Sequence, residues 1–69
     1  MTENEKNEII FLLGSFEGCQ WLQSEIIDLT PYGYIDGGCY IDPPTELIDA
    51  VFVALLYAPD DAIKGGASA

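Results

Sequence analysis

The side chains that could do chemistry in this sequence are two cysteines and twelve acids, and there is no histidine. Tetrahedral zinc needs four ligands drawn from Cys, His and carboxylates, and Cys19 and Cys39 alone fall well short of such a set. The run from Asp36 to Asp42 lacks the alternating acids of a calcium-binding loop. We therefore expect no metal ion, and no motif indicates any other cofactor.

Nucleophilic and acid–base catalysis lack their usual residues as well. No histidine is present to act as a base, and Ser15, Ser24 and Ser68 lie outside the nucleophile-elbow pattern. Paired carboxylates can hydrolyse glycosides, but they need a cleft that a chain of 69 residues has little room to form. Gly37-Gly38 is not followed by the Lys-Ser/Thr and helix of a phosphate loop. We expect a protein that is not an enzyme.

The two cysteines lack neighbouring bases that would activate their thiols. We therefore interpret Cys19 and Cys39 as small core residues in the reduced state. The N-terminal residues are acidic where a secretory signal would be basic. The longest apolar run, residues 50–58, is much shorter than the roughly 18 to 20 residues that cross a bilayer. We expect a cytoplasmic protein, in the host cytoplasm if a phage encodes it.

The charge balance is the most unusual property of the sequence. Twelve acids stand against Lys6 and Lys64, with no arginine, which gives a net charge of −10. Charged residues make up 20% of the chain, slightly below the usual share of about 25%, so the imbalance comes from missing bases. Such a surface repels nucleic acid and anionic membranes and attracts basic protein surfaces. The alternative is that the acidity serves only solubility.

The first thirty residues carry a helical pattern. Thr2 and Glu5 have the spacing of a capping box, which begins a helix. Gly14 followed by Ser15 is typical of a helix end and a new N-cap. We favour two helices, about 3–13 and 16–29, over one long bent helix. Apolar residues recur every three or four positions, as on one face of a helix: Ile9, Leu12, Leu13, Phe16, Cys19, Leu22, Ile26 and Leu29.

The middle of the chain predicts a β-hairpin. Pro31 ends the preceding helix, and Asp36-Gly37 between aromatic and β-branched residues is typical of a type I′ turn. A loop at Gly37-Gly38 is the alternative. With the loop at Asp36-Gly37, two cross-strand pairs share one inner face. They are Tyr34 with Cys39 and Tyr32 with Ile41.

The last helix is predicted to lie at the centre of the core. Asp42 can cap it, prolines suit its first turn, and its body from Leu47 to Tyr57 is apolar nearly all round. The predicted fold class is therefore α+β, mainly helical, in the order α-α-β-β-α with one short antiparallel hairpin. Residues 1–59 are predicted to form a single small domain, and residues 60–69 a flexible tail.

Two candidate contact surfaces follow from these elements. We attribute Glu3, Glu5 and Glu8 to helix capping and solvation. Asp49 interrupts an apolar helix, which indicates either the solvent edge or a contact with a basic partner group. The candidate partner-binding acids are Asp36, Asp42, Glu46, Asp49, Glu17, Glu25 and Asp28. The candidate apolar interface, for a partner or a second copy, is Val51, Val53, Leu55 and Tyr57.

These features favour an acidic, non-catalytic inhibitor that acts by protein–protein interaction. It would mask a basic, nucleic-acid-binding surface as a nucleic-acid mimic, with carboxylates in place of phosphates. The chain is similar, in size and charge only, to small acidic phage proteins such as anti-CRISPR and anti-restriction inhibitors. The alternatives are a homodimer or larger homo-oligomer with a structural or regulatory role, and an antitoxin or immunity protein against a basic toxin. Direct binding of nucleic acid or membrane is not expected.

Overall fold

The computed structural model describes residues 1–58, and these form three α-helices. The helices are α1 (Glu3–Leu13), α2 (Phe16–Trp21) and α3 (Thr45–Leu56). A π-helical turn (Leu22–Ile26) continues α2, and a 3-10 turn (Thr30–Tyr32) follows it. No strand occurs within residues 1–58, so the predicted α+β class and the α-α-β-β-α order are wrong. The predicted tail, residues 60–69, lies outside the described residues.

Helix α1 begins and ends where the sequence predicts. The Thr2 hydroxyl accepts a hydrogen bond from the Glu5 N–H (3.1 Å), and the Glu5 carboxylate accepts one from the Thr2 N–H (2.7 Å). These two bonds complete the capping box. The helix ends at Gly14, and Ser15 caps α2 by accepting the N–H of Gly18 at 3.0 Å. The prediction of two helices is confirmed, and the single bent helix is wrong.

Glycine at position 18 lets α2 pack closely against the end of α1. A Cβ atom added at Gly18 would overlap the carbonyl oxygen of Leu12, which is backbone and cannot rotate away. Gly18 is itself buried. Glycine disfavours a helix interior, but at position 18 it is required by the close approach of the two helices.

The second helix ends earlier than predicted because its last turn widens. The N–H of Ile27 bonds to the carbonyl of Leu22 at 2.7 Å, five residues back, as in a π-helix. The Gln23 amide oxygen then accepts the N–H of Leu29 at 2.6 Å. This side-chain bond turns the chain and leaves Leu29 fully buried outside any helix.

The predicted hairpin is absent, although a turn does form at Asp36-Gly37. The N–H of Gly38 donates to the carbonyl of Ile35 at 2.8 Å, and Gly37 has a φ of +83°. Asp36 has a negative φ, like every other non-glycine residue in residues 1–58. A type I′ turn needs positive φ at both central residues, and a turn with positive φ only at the second lacks the twist that pairs two strands.

The residues expected on the hairpin's inner face therefore point elsewhere. Tyr32 belongs to the 3-10 turn and is exposed, as are Cys39 and Ile41, whereas Tyr34 is partly buried. The segment is instead held against α1 by one backbone bond, from the Tyr40 N–H to the carbonyl of Leu13 at 2.7 Å. The Tyr40 hydroxyl also donates to the Tyr32 carbonyl at 3.0 Å.

Helix α3 lies at the surface, so its predicted central position is wrong. Its N-cap is Pro44, with no side-chain cap bond, and Asp42 therefore does not cap it. One face is buried, through Leu47, Ile48 and Val51. The opposite face is exposed even though it is apolar at its C-terminal end. Its exposed apolar residues are Val53, Leu56 and Tyr57.

The core joins all three helices through α1, which contacts both α2 and α3. The Cys19 thiol lies within it and donates to the carbonyl of Leu13 at 3.1 Å. The core prediction is thus right for Cys19 and wrong for Cys39, whose thiol is exposed. The buried core residues are Ile9, Leu13, Cys19, Leu22, Leu29, Leu47, Ile48 and Val51.

Candidate functional site

Every Asp and Glu residue in residues 1–58 is exposed to solvent. Ten of the twelve acids fall in this part of the chain, and no polar or charged residue there is buried. Within it, the hydrogen bonds that reach carboxylates go to Glu5 and Asp28. The carboxylates of the other eight acids accept no hydrogen bond within residues 1–58, and they are exposed to solvent.

The candidate acids Asp36, Asp42, Glu46 and Asp49 are divided between two loop positions and α3. Glu46 and Asp49 lie one turn apart on the exposed face of α3, at a spacing that makes them neighbours. Asp42 lies in the bend that precedes this helix, and Asp36 lies in the turn that ends at Gly38. The predicted hairpin, which would have paired the segments on either side of Asp36, is not formed.

The three remaining candidate acids differ in availability. Glu17 is exposed in the first turn of α2, and Glu25 is exposed in the π-helical turn. Asp28 has a local role, because its Oδ1 accepts the N–H of Thr30 at 3.0 Å and the amide of Gln23 at 3.1 Å. Hydrogen bonding to Thr30, and then to Gln23, lowers the pKa of Asp28.

The candidate apolar interface is divided by the fold. Val51 is fully buried in the core, so it cannot contribute to an interface with a partner. Val53 is 50% exposed and Tyr57 is 83% exposed, on the outer face of α3. Leu55 is partly buried on the side that faces α1.

A groove lies between α1 and α3. It encloses about 190 Å³. Its floor is apolar, and two carboxylates stand on its α1 side. The lining residues are Glu5, Glu8, Ile9, Leu12, Phe52, Leu55 and Leu56.

A second depression, larger at about 410 Å³ and more open to solvent, adjoins this groove on the outer face of α1. It is lined by Asn4, Asn7, Glu8, Phe11 and Leu12. Glu8 and Leu12 line both depressions, which makes them one continuous surface. We call the two together the α1–α3 surface. Phe11, 75% exposed, and Leu56, 62% exposed, are its most exposed apolar side chains.

Sequence reasoning missed most of this surface. Glu8 was grouped with the capping acids, but Glu5 alone completes the capping box, and Glu8 borders both depressions. Phe11 does not belong to the apolar stripe of α1, and a large aromatic residue off the buried stripe was the available signal. No pattern in the sequence indicated that α1 and α3 would lie side by side.

The hydroxyl and thiol groups near the core offer no reactive nucleophile. Burial raises the pKa of the Cys19 thiol and of the Tyr40 hydroxyl, so both stay protonated at neutral pH. The Tyr34 hydroxyl is buried without a hydrogen-bond partner in residues 1–58. The Tyr34 and Tyr40 side chains pack against the core cluster that contains Cys19.

Residues 1–58 contain no group of three or more Cys, Asp or Glu side chains placed to hold a metal ion. None of the helices in that range is long and apolar enough to cross a bilayer. Comparison of the chain with protein-family models, curated proteins and solved structures found no match.

Proposed function

We propose that this protein is a non-catalytic inhibitor that masks a basic surface of another protein. The observation that carries the proposal is the exposure of all ten described acids, most of which accept no hydrogen bond from another group in residues 1–58. A folded chain that buried its acids, or paired them internally, would have little charge to offer a partner. In this chain the described carboxylates are exposed to solvent, and the net charge is −10.

The physical basis is steered association followed by charge pairing. A strongly negative surface attracts a basic partner over about a Debye length, which is about 8 Å at physiological salt. Carboxylates that meet Lys or Arg in a desolvated contact then contribute to affinity and specificity. The acids assigned to this contact are Asp42, Glu46 and Asp49 around the start of α3, with Asp36, Glu17 and Glu25 as outlying charges.

The proposed target surface is one that otherwise binds nucleic acid. Channels that hold DNA or RNA are lined with Lys and Arg, which pair with phosphates. Exposed carboxylates can pair with the same Lys and Arg side chains, in the manner of phage anti-CRISPR and anti-restriction proteins. The action would take place in the cytoplasm, in the host cell if a phage encodes the protein. A basic toxin would be recognised by the same physics, so an immunity role differs in target and not in mechanism.

The test compares captures made by matched charge variants. Three proteins are immobilised. They are the wild type, a neutralised variant carrying Asp36→Asn, Asp42→Asn, Glu46→Gln and Asp49→Asn, and a control carrying Glu3→Gln, Asp60→Asn and Asp61→Asn at acids not assigned to the contact. Each is exposed to a lysate of the native host, with and without added duplex DNA. We expect basic, nucleic-acid-handling proteins on the wild type, lost from the neutralised variant and displaced by DNA. The proposal would be contradicted if the neutralised variant captured the same proteins as the wild type and added DNA displaced none of them.

Self-association is the second candidate function, because the outer face of α3 leaves apolar side chains exposed. Val53, Leu56 and Tyr57 are each at least half exposed, and a second copy could cover them. Light scattering at high micromolar concentration in moderate salt measures this directly. A dimer that dissociates on Tyr57→Ser would support a homo-oligomeric role, and a monomer would remove it.

A further inference from the structure

We propose that the α1–α3 surface is a docking groove for an amphipathic helix of the partner, one that carries Lys or Arg beside its apolar face. This inference rests on the proposed function and deepens it, since it names the part of the surface where a basic partner is held. The other exposed carboxylates then act mainly by steering the partner to this groove.

The shape and lining of the surface fit a helix. Two helices border an apolar floor, and the ligands of such grooves place apolar anchors at positions i, i+3 or i+4, and i+7. Phe11 and Leu12 on α1 and Phe52, Leu55 and Leu56 on α3 supply the apolar contacts. Phe11 and Leu56 are largely exposed in this chain and would be covered by the ligand.

The charges beside the groove select a basic occupant. Glu5 and Glu8 line its α1 side, and no base lines either depression. Asp49 lies three residues before Phe52 on α3, which places it on the neighbouring turn of the same side. Ammonium or guanidinium groups beside the ligand's apolar face would pair with these carboxylates.

The same charges disfavour the two other occupants. A second copy would bring another Glu5, Glu8 and Asp49 to a surface that already carries them, and like charges at an interface are repulsive. The segment 59–69 of this chain carries Asp60 and Asp61 and has one large aliphatic residue, Ile63. A basic partner helix is therefore the occupant that both the apolar floor and the carboxylates fit.

The test uses a synthetic helix in place of the partner. The probe is an 18-residue peptide of Leu and Lys, patterned so that leucines form one helical face. Two control peptides share its length: one has the same composition in scrambled order, and one has Glu in place of each Lys. Binding of each to the full chain is measured by calorimetry at moderate salt, and chemical-shift changes locate the contact.

We expect the patterned Leu/Lys peptide to bind at least about tenfold more tightly than either control, since only it offers both an apolar face and positive charge. Phe11→Ala and Leu56→Ala should each weaken it by about tenfold, as for an anchor in an interface, and Glu8→Gln by a few-fold. Ile41→Ala and Glu3→Gln are the matched controls. They remove an exposed apolar group and an exposed charge elsewhere, and they should leave the affinity unchanged.

Several outcomes would overturn the inference. Equal binding of the scrambled peptide would mean that charge alone acts, which leaves the proposed function standing without this groove. Equal binding of the Leu/Glu peptide would remove the role of the carboxylates. A dimer abolished by Phe11→Ala would assign the groove to a second copy, and tighter peptide binding after deletion of residues 59–69 would assign it to that segment. Failure of the lysate captures would instead contradict the proposed function itself.

Discussion

Glu5 and Asp28 are the two described carboxylates that the fold uses for its own stability. Each accepts a backbone N–H, from Thr2 and from Thr30 respectively, and in each case this hydrogen bonding lowers the pKa. A carboxyl whose pKa is lowered by folding stabilises the folded state only while it is ionised. Its contribution is complete above the ordinary carboxyl pKa of about 4 and is lost as the pH falls through the lowered pKa.

Asp28→Asn tests this linkage, because the amide can still accept the Thr30 N–H but does not titrate. We expect the wild type to be more stable than the variant at neutral pH. That difference should shrink as the pH falls below the ordinary carboxyl pKa and through the lowered pKa of Asp28, where the wild-type carboxyl becomes protonated. Urea unfolding at a series of pH values measures it. A difference that stays constant with pH would contradict the assigned role.

The two cysteines are expected to differ sharply in reactivity. The Cys19 thiol is fully buried and its pKa is raised by burial, whereas the Cys39 thiol is exposed. Only a thiolate that reagents can reach is alkylated quickly. Brief treatment of the native protein with iodoacetamide should therefore add one label, at Cys39, and a second only after unfolding. Rapid labelling of Cys19 in the native state would show that the core is more open than described.

Gly18 tests the close contact between α1 and α2. Alanine is the better helix former by about 1 kcal/mol, so Gly18→Ala would stabilise an isolated helix. Here its Cβ would overlap the Leu12 carbonyl oxygen, and we expect a net loss of about 1 to 3 kcal/mol, as for other overpacked sites. Gly14→Ala is the control, because its Cβ would come no closer than 3.2 Å to another atom and Gly14 has a φ of −85°. Equal unfolding free energies for the two variants would contradict this packing.

At the scale of elements, the start and end of α1 and the start of α2 were predictable, whereas the end of α2, the cap of α3 and the loop between them were not. Thr2, Glu5, Gly14 and Ser15 act within one turn of their own positions, so the local sequence determines the two caps. The segment around Asp36-Gly37 has a strong hairpin pattern, but its conformation depends on a distant group. Tyr40 bonds to the carbonyl of Leu13 on α1 instead of to a facing strand, and no local pattern encodes that bond.

Helix α3 illustrates the same limit for burial. Its body is apolar nearly all round, which predicted a central helix, but the other two α-helices of residues 1–58 cover one face of it. The candidate site was affected in the same way. Exposure of the acids followed from residue type alone, whereas the groove depends on α3 lying beside α1, and Val51 turned toward the core and away from the surface.

Burial ranks the expected effects of truncation along α3. Leu47 is fully buried, so Leu47→Ala should cost about 2 to 5 kcal/mol, much of the stability of so small a domain. Phe52 is only partly buried at the edge of the groove. Phe52→Ala should therefore cost less than the about 3 to 5 kcal/mol of a fully buried aromatic residue. Chemical denaturation of both variants checks the order, and a larger loss for Phe52→Ala would show that α3 is more enclosed than described.

At the scale of the whole molecule, the protein is a small helical core with acids over its surface and an acid-edged apolar groove. The core uses only apolar residues and Cys19, and no acid in residues 1–58 is needed inside it. Apart from Glu5 and Asp28, whose hydrogen bonds stabilise the fold, charge and fold are therefore separable here. Neutralising surface acids should change binding while leaving the folded structure intact, which is the condition that makes the charge variants informative.

The central claim is that charge brings this protein to a basic partner, and the association rate measures that most directly. The partner taken is the basic protein most depleted from the captures of the neutralised variant, and its binding is followed by stopped-flow between about 20 and 200 mM salt. We expect the wild-type rate to fall by on the order of tenfold across this range, because salt screens the field. The variant with Asp36, Asp42, Glu46 and Asp49 neutralised should start slower and fall less. Rates that are the same for both proteins and unchanged by salt would contradict the claim.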